Sequence, residues 1–190
     1  MLARIAAILV DVVAEFFVYL LLLRFYFQWL RVPFHNQVGQ FVIATTNWAV
    51  KPARRLVPSL LGLDLASILC AFLLQMLAIA LLLTLGGRDL STAPGVAAGV
   101  IAGLALVDLL QNSLKLLMFV LIIQAILSWI SPHHPMQSVM DGLTRPFLRP
   151  LRRLIPPVGG VDLSPLVLIV LLMVLDVPIA ELRGTVRGLF

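Results

Sequence analysis

The side chains able to do chemistry in this chain are few, and most are arginines. Two pairs, Arg54-Arg55 and Arg152-Arg153, each follow a proline (Pro52, Pro150) and precede an aspartate (Asp64, Asp162). With Arg149, they form clusters of the type that recognises phosphate or carboxylate through paired hydrogen bonds. Asp11, Glu15, Asp108, Lys115 and Asp176 stand inside otherwise apolar runs. A charge there is expensive in hydrocarbon, so each is expected to face protein, water or a partner. Asp11 and Glu15 are spaced to share one helix face, and Asp108, Gln111, Asn112 and Lys115 form a matching stripe. Such stripes suit an ion pair between helices or a polar ion path. His133 and His134 are adjacent, in a turn between Pro132 and Pro135, and His35 is remote in sequence. Without cysteine or carboxylate at ligand spacing, no metal site is expected. No Ser/His/Asp grouping, Walker loop or dinucleotide fingerprint appears, and Gly86-Gly87 and Gly159-Gly160 are too short to cradle phosphate. The expectation is a protein with no catalytic residues, no cofactor and no metal.

Composition says where these groups must sit. Soluble domains carry about 25% charged residues; here the share is 12%, against 61% hydrophobic residues in a chain of 190. With a mean hydropathy of +1.07, no water-exposed globule of this length could hide so much apolar surface. The class is an all-α, polytopic helical membrane protein. A net charge of +5 and a pI near 10.4 also suit nucleic acid. The basic residues flank apolar runs, however, which points to anionic lipid headgroups, and no direct nucleic-acid partner is expected. Cys70 is the single cysteine, so no intrachain disulfide is available. Asp11 and Glu15 interrupt the hydrophobic N-terminus and no small-residue cleavage site follows, so it reads as a retained span rather than a signal peptide.

Four spans are predicted. Leu2 to Leu23 is about 33 Å long as a helix, enough for a core of about 30 Å. Phe25, Tyr26, Phe27 and Trp29 follow it as an aromatic belt. Leu65 to Leu85 is the second. The apolar stretch from Pro94 to Ile130 is too long for one perpendicular helix, and a span near Leu106 to Ile130 after a Gly/Ala-rich interfacial or tilted segment fits it. Pro165 to Leu182 is the last, weakened by Asp176 and Pro178. Between spans, Val38, Phe41, Val42, Thr45, Trp48 and Ala49 share one helical face. Met136, Val139, Met140, Leu143 and Phe147 form the corresponding stripe. Both segments read as amphipathic helices lying in the interface, with re-entrant packing against the bundle as the alternative.

The chain repeats itself. Laid over each other at an offset of 98, Thr46 to Leu65 and Thr144 to Leu163 are identical at nine of twenty positions. Upstream, Gln28-Trp29-Leu30 matches Ser128-Trp129-Ile130 at an offset of 100. The repeat predicts two units, 1–92 and 93–190, each a span, an amphipathic helix, a basic turn and a second span. Two spans return each unit to its starting side, so the units are parallel about a pseudo-twofold axis along the membrane normal. Glu15 then lies over Lys115, and an ion pair between them across the axis is expected. The side with the basic turns carries Arg31, Lys51, Arg54, Arg55, Arg145, Arg149, Arg152 and Arg153, against Arg4, Arg88, Arg183 and Arg187 on the other. The excess predicts cytoplasmic motif loops and periplasmic termini.

The motifs resemble those of the YggT family (also called YlmG-like), small membrane proteins of bacteria and plastids. The resemblance rests on Ser128-Trp129-Ile130, Pro146 to Pro150, Arg152 to Pro156, and Gly159-Gly160-Val161-Asp162-Leu163-Ser164-Pro165. The first unit is a degenerate copy, with Gln28 for Ser128, Trp48 for Pro146 and Ala66-Ser67 for Ser164-Pro165. What the resemblance implies is a bacterial inner-membrane protein linked to osmotic or envelope stress tolerance, ion homeostasis or membrane-complex assembly, with no agreed enzymatic activity.

Within this frame Pro52, Pro58, Gly62, Asp64, Trp129, Pro150, Pro156, Gly160 and Asp162 are expected to be structural. Pro52 and Pro150 would each open a short helix, and Asp64 and Asp162 would cap the following span or pair with the nearby arginines. Ser164-Pro165 reads as a cap followed by a first-turn proline. Arg54, Arg55, Arg149, Arg152 and Arg153 would anchor topology against anionic lipids, or bind an anionic ligand or acidic protein partner. The expected function is a non-catalytic scaffold or assembly factor, with membrane proteins or a cytoplasmic protein as partners and homo-oligomers allowed. The alternative is a small oligomeric ion channel or transporter component.

Overall fold

The computed structural model describes residues 1–57, 64–87, 94–130, 135–155 and 162–188. These form six helices in chain order: α1 (Leu2–Trp29), α2 (Gln37–Leu56), α3 (Leu65–Leu85), α4 (Pro94–Ile130), α5 (Pro135–Leu154) and α6 (Ser164–Arg187). There is no strand among the described residues. Helices α1, α3, α4 and α6 are long and apolar enough to cross a membrane, and a helix satisfies its own backbone groups in hydrocarbon. The chain is a multi-pass membrane protein. Pro58, Gly62, Pro156, Gly160 and the two histidines His133 and His134 lie outside the described residues.

The inner spans are α3 and α4, with α1 packed on α3 and α6 packed on α4. Close approach of α1 and α3 follows from small residues: Ala14 on α1 faces a bundle in which Ala66, Ser67, Ala71 and Ala78 of α3 are buried. A core of Val18, Leu21, Leu22, Phe27, Leu116, Val120, Val139, Met140 and Leu143 joins the two units. Within each unit the same positions do the same work. Val50 and Leu148, Thr46 and Thr144, and Leu21 and Leu121 are all buried at their repeat offsets.

Several boundaries differ from the sequence expectation. Helix α1 runs through the aromatic stretch to Trp29, and α6 through Asp176 and Pro178 to Arg187. Helix α4 is one continuous element, because its Gly/Ala-rich start is packed: Val100, Ile101, Leu104 and Ala105 are buried with Ile79 of α3. At about 55 Å it exceeds the hydrocarbon thickness and must tilt or protrude. The face that α2 buries is centred on Val42, Thr46 and Val50, whereas Phe41 and Trp48 are exposed. Pro52 and Pro150 do not open helices; they lie inside α2 and α5. Both are on the exposed side, where the carbonyl that loses its helical donor is not sealed against protein.

The helix ends are made by local chemistry. After α1, Arg31 takes a left-handed conformation (φ 55°), and the amides of Arg31 and Val32 donate back to the carbonyls of Gln28 and Phe27 at 3.2 and 2.8 Å. That pattern is a Schellman stop, sealed by apolar contact of Val32 with Phe27. Asn36 then caps α2, its Oδ1 accepting from the amide of Gly39 at 2.8 Å. Gly39 is required here, since a Cβ would sit 2.8 Å from the backbone Cα and carbonyl oxygen of Phe34. Gly39→Ala should therefore lower stability by about 1–3 kcal/mol. Gly99→Ala, where a Cβ meets open space in mid-helix, should be neutral or stabilising by up to about 1 kcal/mol. Thermal unfolding of both variants in detergent checks the contrast; equal midpoints would contradict the packing at Gly39.

Candidate functional site: the basic turns and their buried carboxylates

Each unit gathers its polar side chains where α2 or α5 ends beside the two spans. In the first unit the organiser is Asp64, whose side chain is 0% exposed. Arg54 forks onto it, Nη2 donating to Oδ2 at 2.7 Å and Nε to Oδ1 at 3.2 Å. Ser67 Oγ donates to Oδ2 at 2.8 Å, and Arg24 Nε stands 3.5 Å from the same oxygen. Arg24 is itself buried, at 5% side-chain exposure, and its Nη1 donates to Thr46 Oγ1 at 2.7 Å and Asn47 Oδ1 at 3.2 Å. The Thr46 hydroxyl donates onward to the carbonyl of Val42 at 2.6 Å. Three helices thus meet on one carboxylate: α1 through Arg24, α2 through Arg54, α3 through Asp64 and Ser67.

The second unit keeps the frame and changes the charges. Gln124 occupies the place of Arg24 at the repeat offset of 100, and Thr144 Oγ1 donates to its Oε1 at 2.6 Å. Gln124 Nε2 in turn donates to Asp141. Arg152 Nε donates to Asp162 Oδ2 at 2.7 Å, as Arg54 does to Asp64, but here the partners are 45% and 39% exposed. The amide of Ser164 donates to Asp162 Oδ1 at 2.9 Å.

Both aspartates are therefore ion-paired, and their capping differs from the expected form. Asp64 sits at the N-cap of α3 but makes no side-chain cap bond, because its oxygens are taken by Arg54, Arg24 and Ser67. The N-cap of α6 is Leu163, with Ser164 the first helical residue and Pro165 in the first turn. Burial alone would push the Asp64 carboxyl up. The hydrogen bonds from Arg54 and Ser67, with the charges of Arg54 and Arg24, outweigh it and hold the carboxyl below its ordinary 3.8. The bond to Asp64, opposed by burial, raises Arg54 above its usual range. Asp162 is likewise lowered, burial being outweighed by hydrogen bonds from Ser164 and the bond and charge of Arg152.

One arginine of each pair is thereby consumed internally and one is not. Arg55, Arg149 and Arg153 are exposed and make no ion pair among the described residues. Trp129 lies within the last turns of α4.

The span charges are split between inside and outside. Asp108 is buried on α4, where Gln75 of α3 donates to it at 3.1 Å and Arg183 of α6 pairs with it at 2.5 Å. Asp11, Glu15 and Lys115 are exposed on the bundle surface. The expected Glu15–Lys115 pair does not form within the chain. The reason is a slip between the units: Tyr19 bonds Asn112, at a sequence separation of 93 rather than 100, and Gln75, beside the Leu74 and Leu77 that share a cavity with Val13 and Phe17, bonds Asp108. That slip displaces Lys115 along α4 away from Glu15. Tyr26, expected in an interfacial belt, instead points into α4. Arg24, Gln75 and Gln124 are buried polar residues that sequence reasoning passed over. The signal for Arg24 was its place over Gln124 in the repeat.

The two ion pairs should differ sharply in worth. Asp64→Ala strands the buried Arg24 guanidinium and should cost about 3–5 kcal/mol. Asp162→Ala breaks an exposed pair and should cost about 1 kcal/mol or less. Because the folded Asp64 pKa is depressed, its contribution is complete above 3.8 and is lost as pH falls through the lower folded value. Unfolding midpoints across that acid range should drop in the wild type, with the drop smaller in Asp64→Asn. Equal costs for the two alanine variants would refute the assignment.

The CCB3/YggT family model matches residues 3–91 and 103–182, the two segments that carry these turns. Among relatives, the uncharacterized protein YggT of Escherichia coli (strain K12) is 36% identical over 174 residues, covering 91% of this chain and 88% of that protein. An uncharacterized protein in the proC 3' region of Vibrio alginolyticus is 32% identical over 94% of this chain and 95% of its own length. The uncharacterized protein PA0392 of Pseudomonas aeruginosa is 31% identical, over 97% and 92%. No solved structure matches this chain significantly. On the strength of both matched segments and these full-length relatives, the chain belongs to the CCB3/YggT family.

Proposed function

We propose that this protein is a non-catalytic scaffold of the bacterial inner membrane. It would hold an anionic lipid surface or an acidic protein against its basic turns, and serve as an assembly and stress-tolerance factor in osmotic and envelope homeostasis. The observation that carries the reading is the division of labour within each arginine pair. Arg54 and Arg152 are tied to Asp64 and Asp162, which fixes the helix end. Arg55 and Arg153 are then presented outward beside Arg149 and Lys51, with no internal partner among the described residues. A helix end held by one arginine and displaying a second, exposed guanidinium is a recognition element for phosphate or carboxylate. The eight-to-four bias of basic residues supports cytoplasmic turns and periplasmic termini.

A channel or transporter component would use the span charges, and the single chain does not bring them to one cavity. Asp108 is closed off by Gln75 and Arg183, while Asp11, Glu15 and Lys115 face outward. Cavities among the described spans are lined by apolar side chains such as Leu9, Val13, Phe17, Leu74 and Leu77. The scaffold reading therefore has the better support.

Arg55→Glu combined with Arg153→Glu should fold and insert normally, since neither side chain makes an internal bond among the described residues. It should lose at least about tenfold in affinity for co-purifying proteins or anionic lipid, each basic group near such a surface being worth about 1 kcal/mol. Replacing both by lysine should retain lipid but not a partner that needs the bidentate fork. Mild-detergent purification followed by lipid and protein analysis reads both. Unchanged lipid and protein content in the glutamate variant would sink the proposal, and ion flux through the purified protein that Asp11→Asn abolishes would favour the channel.

A further inference from the structure

Two exposed charged faces on the outer spans carry groups that are wholly or partly unpaired among the described residues, and they match each other. On α1, Asp11 and Glu15 are one turn apart and exposed, among exposed Ile8, Val12 and Phe16. On α6, Arg183 and Arg187 are one turn apart and exposed, among exposed Val177 and Leu182. Arg183 spends Nε and Nη2 on Asp108, leaving the other guanidinium N–H groups of a half-exposed side chain free to donate. Arg187 makes no ion pair among the described residues.

The two faces also sit at the same level in the bundle. Tyr19 of α1 bonds Asn112 of α4, and Gln75, the donor to Asp108, lies beside Leu74 and Leu77, which share a cavity with Val13 and Phe17 of α1. Glu15 lies one turn before Tyr19, and Asp108 one turn before Asn112, on helices that run the same way. Glu15 is therefore level with Asp108, and Asp108 is level with its partner Arg183. One further turn outward, along α1 backwards and along the antiparallel α6 forwards, brings Asp11 level with Arg187. Lys115, three residues past Asn112 in the opposite direction, is not level with either carboxylate. Within one chain α1 and α6 are the two outer spans, separated by α3 and α4, so the faces cannot meet.

We propose that a second copy of this chain docks its α6 on α1, pairing Glu15 with Arg183 and Asp11 with Arg187 of the neighbour. Copies in one membrane share orientation, so matched levels are preserved between them, and opposite charges in hydrocarbon satisfy each other there. Each copy offers one carboxylate face and one guanidinium face, so the contact is heterologous and builds rings or larger assemblies when both faces are filled.

The test uses the full chain in lipid nanodiscs and in membranes. With Cys70 replaced by alanine, Glu15→Cys and Arg183→Cys are placed on separately tagged copies and oxidised together. A covalent pair of the two tags is expected, with less of either like-with-like product. Because Arg183 also braces Asp108, the charge test uses the outer pair. Asp11→Arg and Arg187→Asp should each shift the native mass distribution at least about tenfold toward monomer, and their combination should restore it. A monomeric wild type, or a double variant no better assembled than either single one with unchanged helical content, overturns the proposal. Crosslinks of Glu15→Cys to itself in preference to Arg183→Cys overturn it as well.

Discussion

Everything at the basic end of the first unit depends on one buried carboxylate. Asp64 is wholly enclosed and yet ionised, which requires that the cost of taking it out of water be met by neighbours on three different helices. Arg54 meets it from α2 and Arg24 from α1, with Ser67 closing the remaining lone pair. Each of these is itself held: Arg24 by Thr46 and Asn47, Arg54 by Gln28 at 3.3 Å. A network in which every member is satisfied specifies one arrangement. This one settles the angle at which α2 leaves the bundle, and with it the direction in which Arg55 points.

The duplicated unit shows which parts of that network are indispensable to the frame and which are not. Thr46 and Thr144 are both fully buried, and each ties its amphipathic helix to a polar side chain on the preceding span. Arg54 and Arg152 both reach their aspartates. The variable member is position 24, arginine in one copy and glutamine in the other. With arginine the carboxylate is shared by two cations and sinks inward. With glutamine no second cation draws on Asp162, which remains more than a third exposed, and Asp141 supplies an acceptor for the amide instead. The same fold therefore supports a helix end tied to a buried carboxylate in the first unit and to a wetter one in the second.

Much of this was legible in the residues alone. Four apolar runs and two amphipathic segments announce six helices, because hydropathy and the 3.6-residue period are one-dimensional signals. The repeat announced two units with matched turns, since an offset comparison needs no coordinates. What could not be read was anything set by how helices slide or rotate on one another. Which part of the apolar stripe of α2 meets protein was one such feature, because Phe41 and Trp48 are apolar enough to face lipid as well as protein. Pro52 and Pro150 looked like helix openers because their local cue is the same at a helix start and on an exposed helix flank. The Glu15–Lys115 pair failed for the same kind of reason, since a repeat offset predicts depth only if the symmetry is strict.

The departure from strict symmetry has its own logic. Helix α4 serves both units at once: its N-terminal half packs on α3 and the end of α6, and its C-terminal half on α5 and the start of α6. It is the most enclosed span, 39% of its apolar window being buried against 17% for α6. A helix that must fill two different grooves does not stay in register with α1, and the Tyr19–Asn112 contact at a separation of 93 reflects the slip. One departure is in the residues themselves: Gln75, Asp108 and Arg183 have Met173, Ile8 and Leu85 at their repeat positions, so their buried polar cluster has no counterpart. A consequence of the slip is that the charges of α1 lose the intrachain partner that a true twofold would have supplied. Duplication thus explains the two basic turns, and its imperfection explains why charge remains on the outer spans.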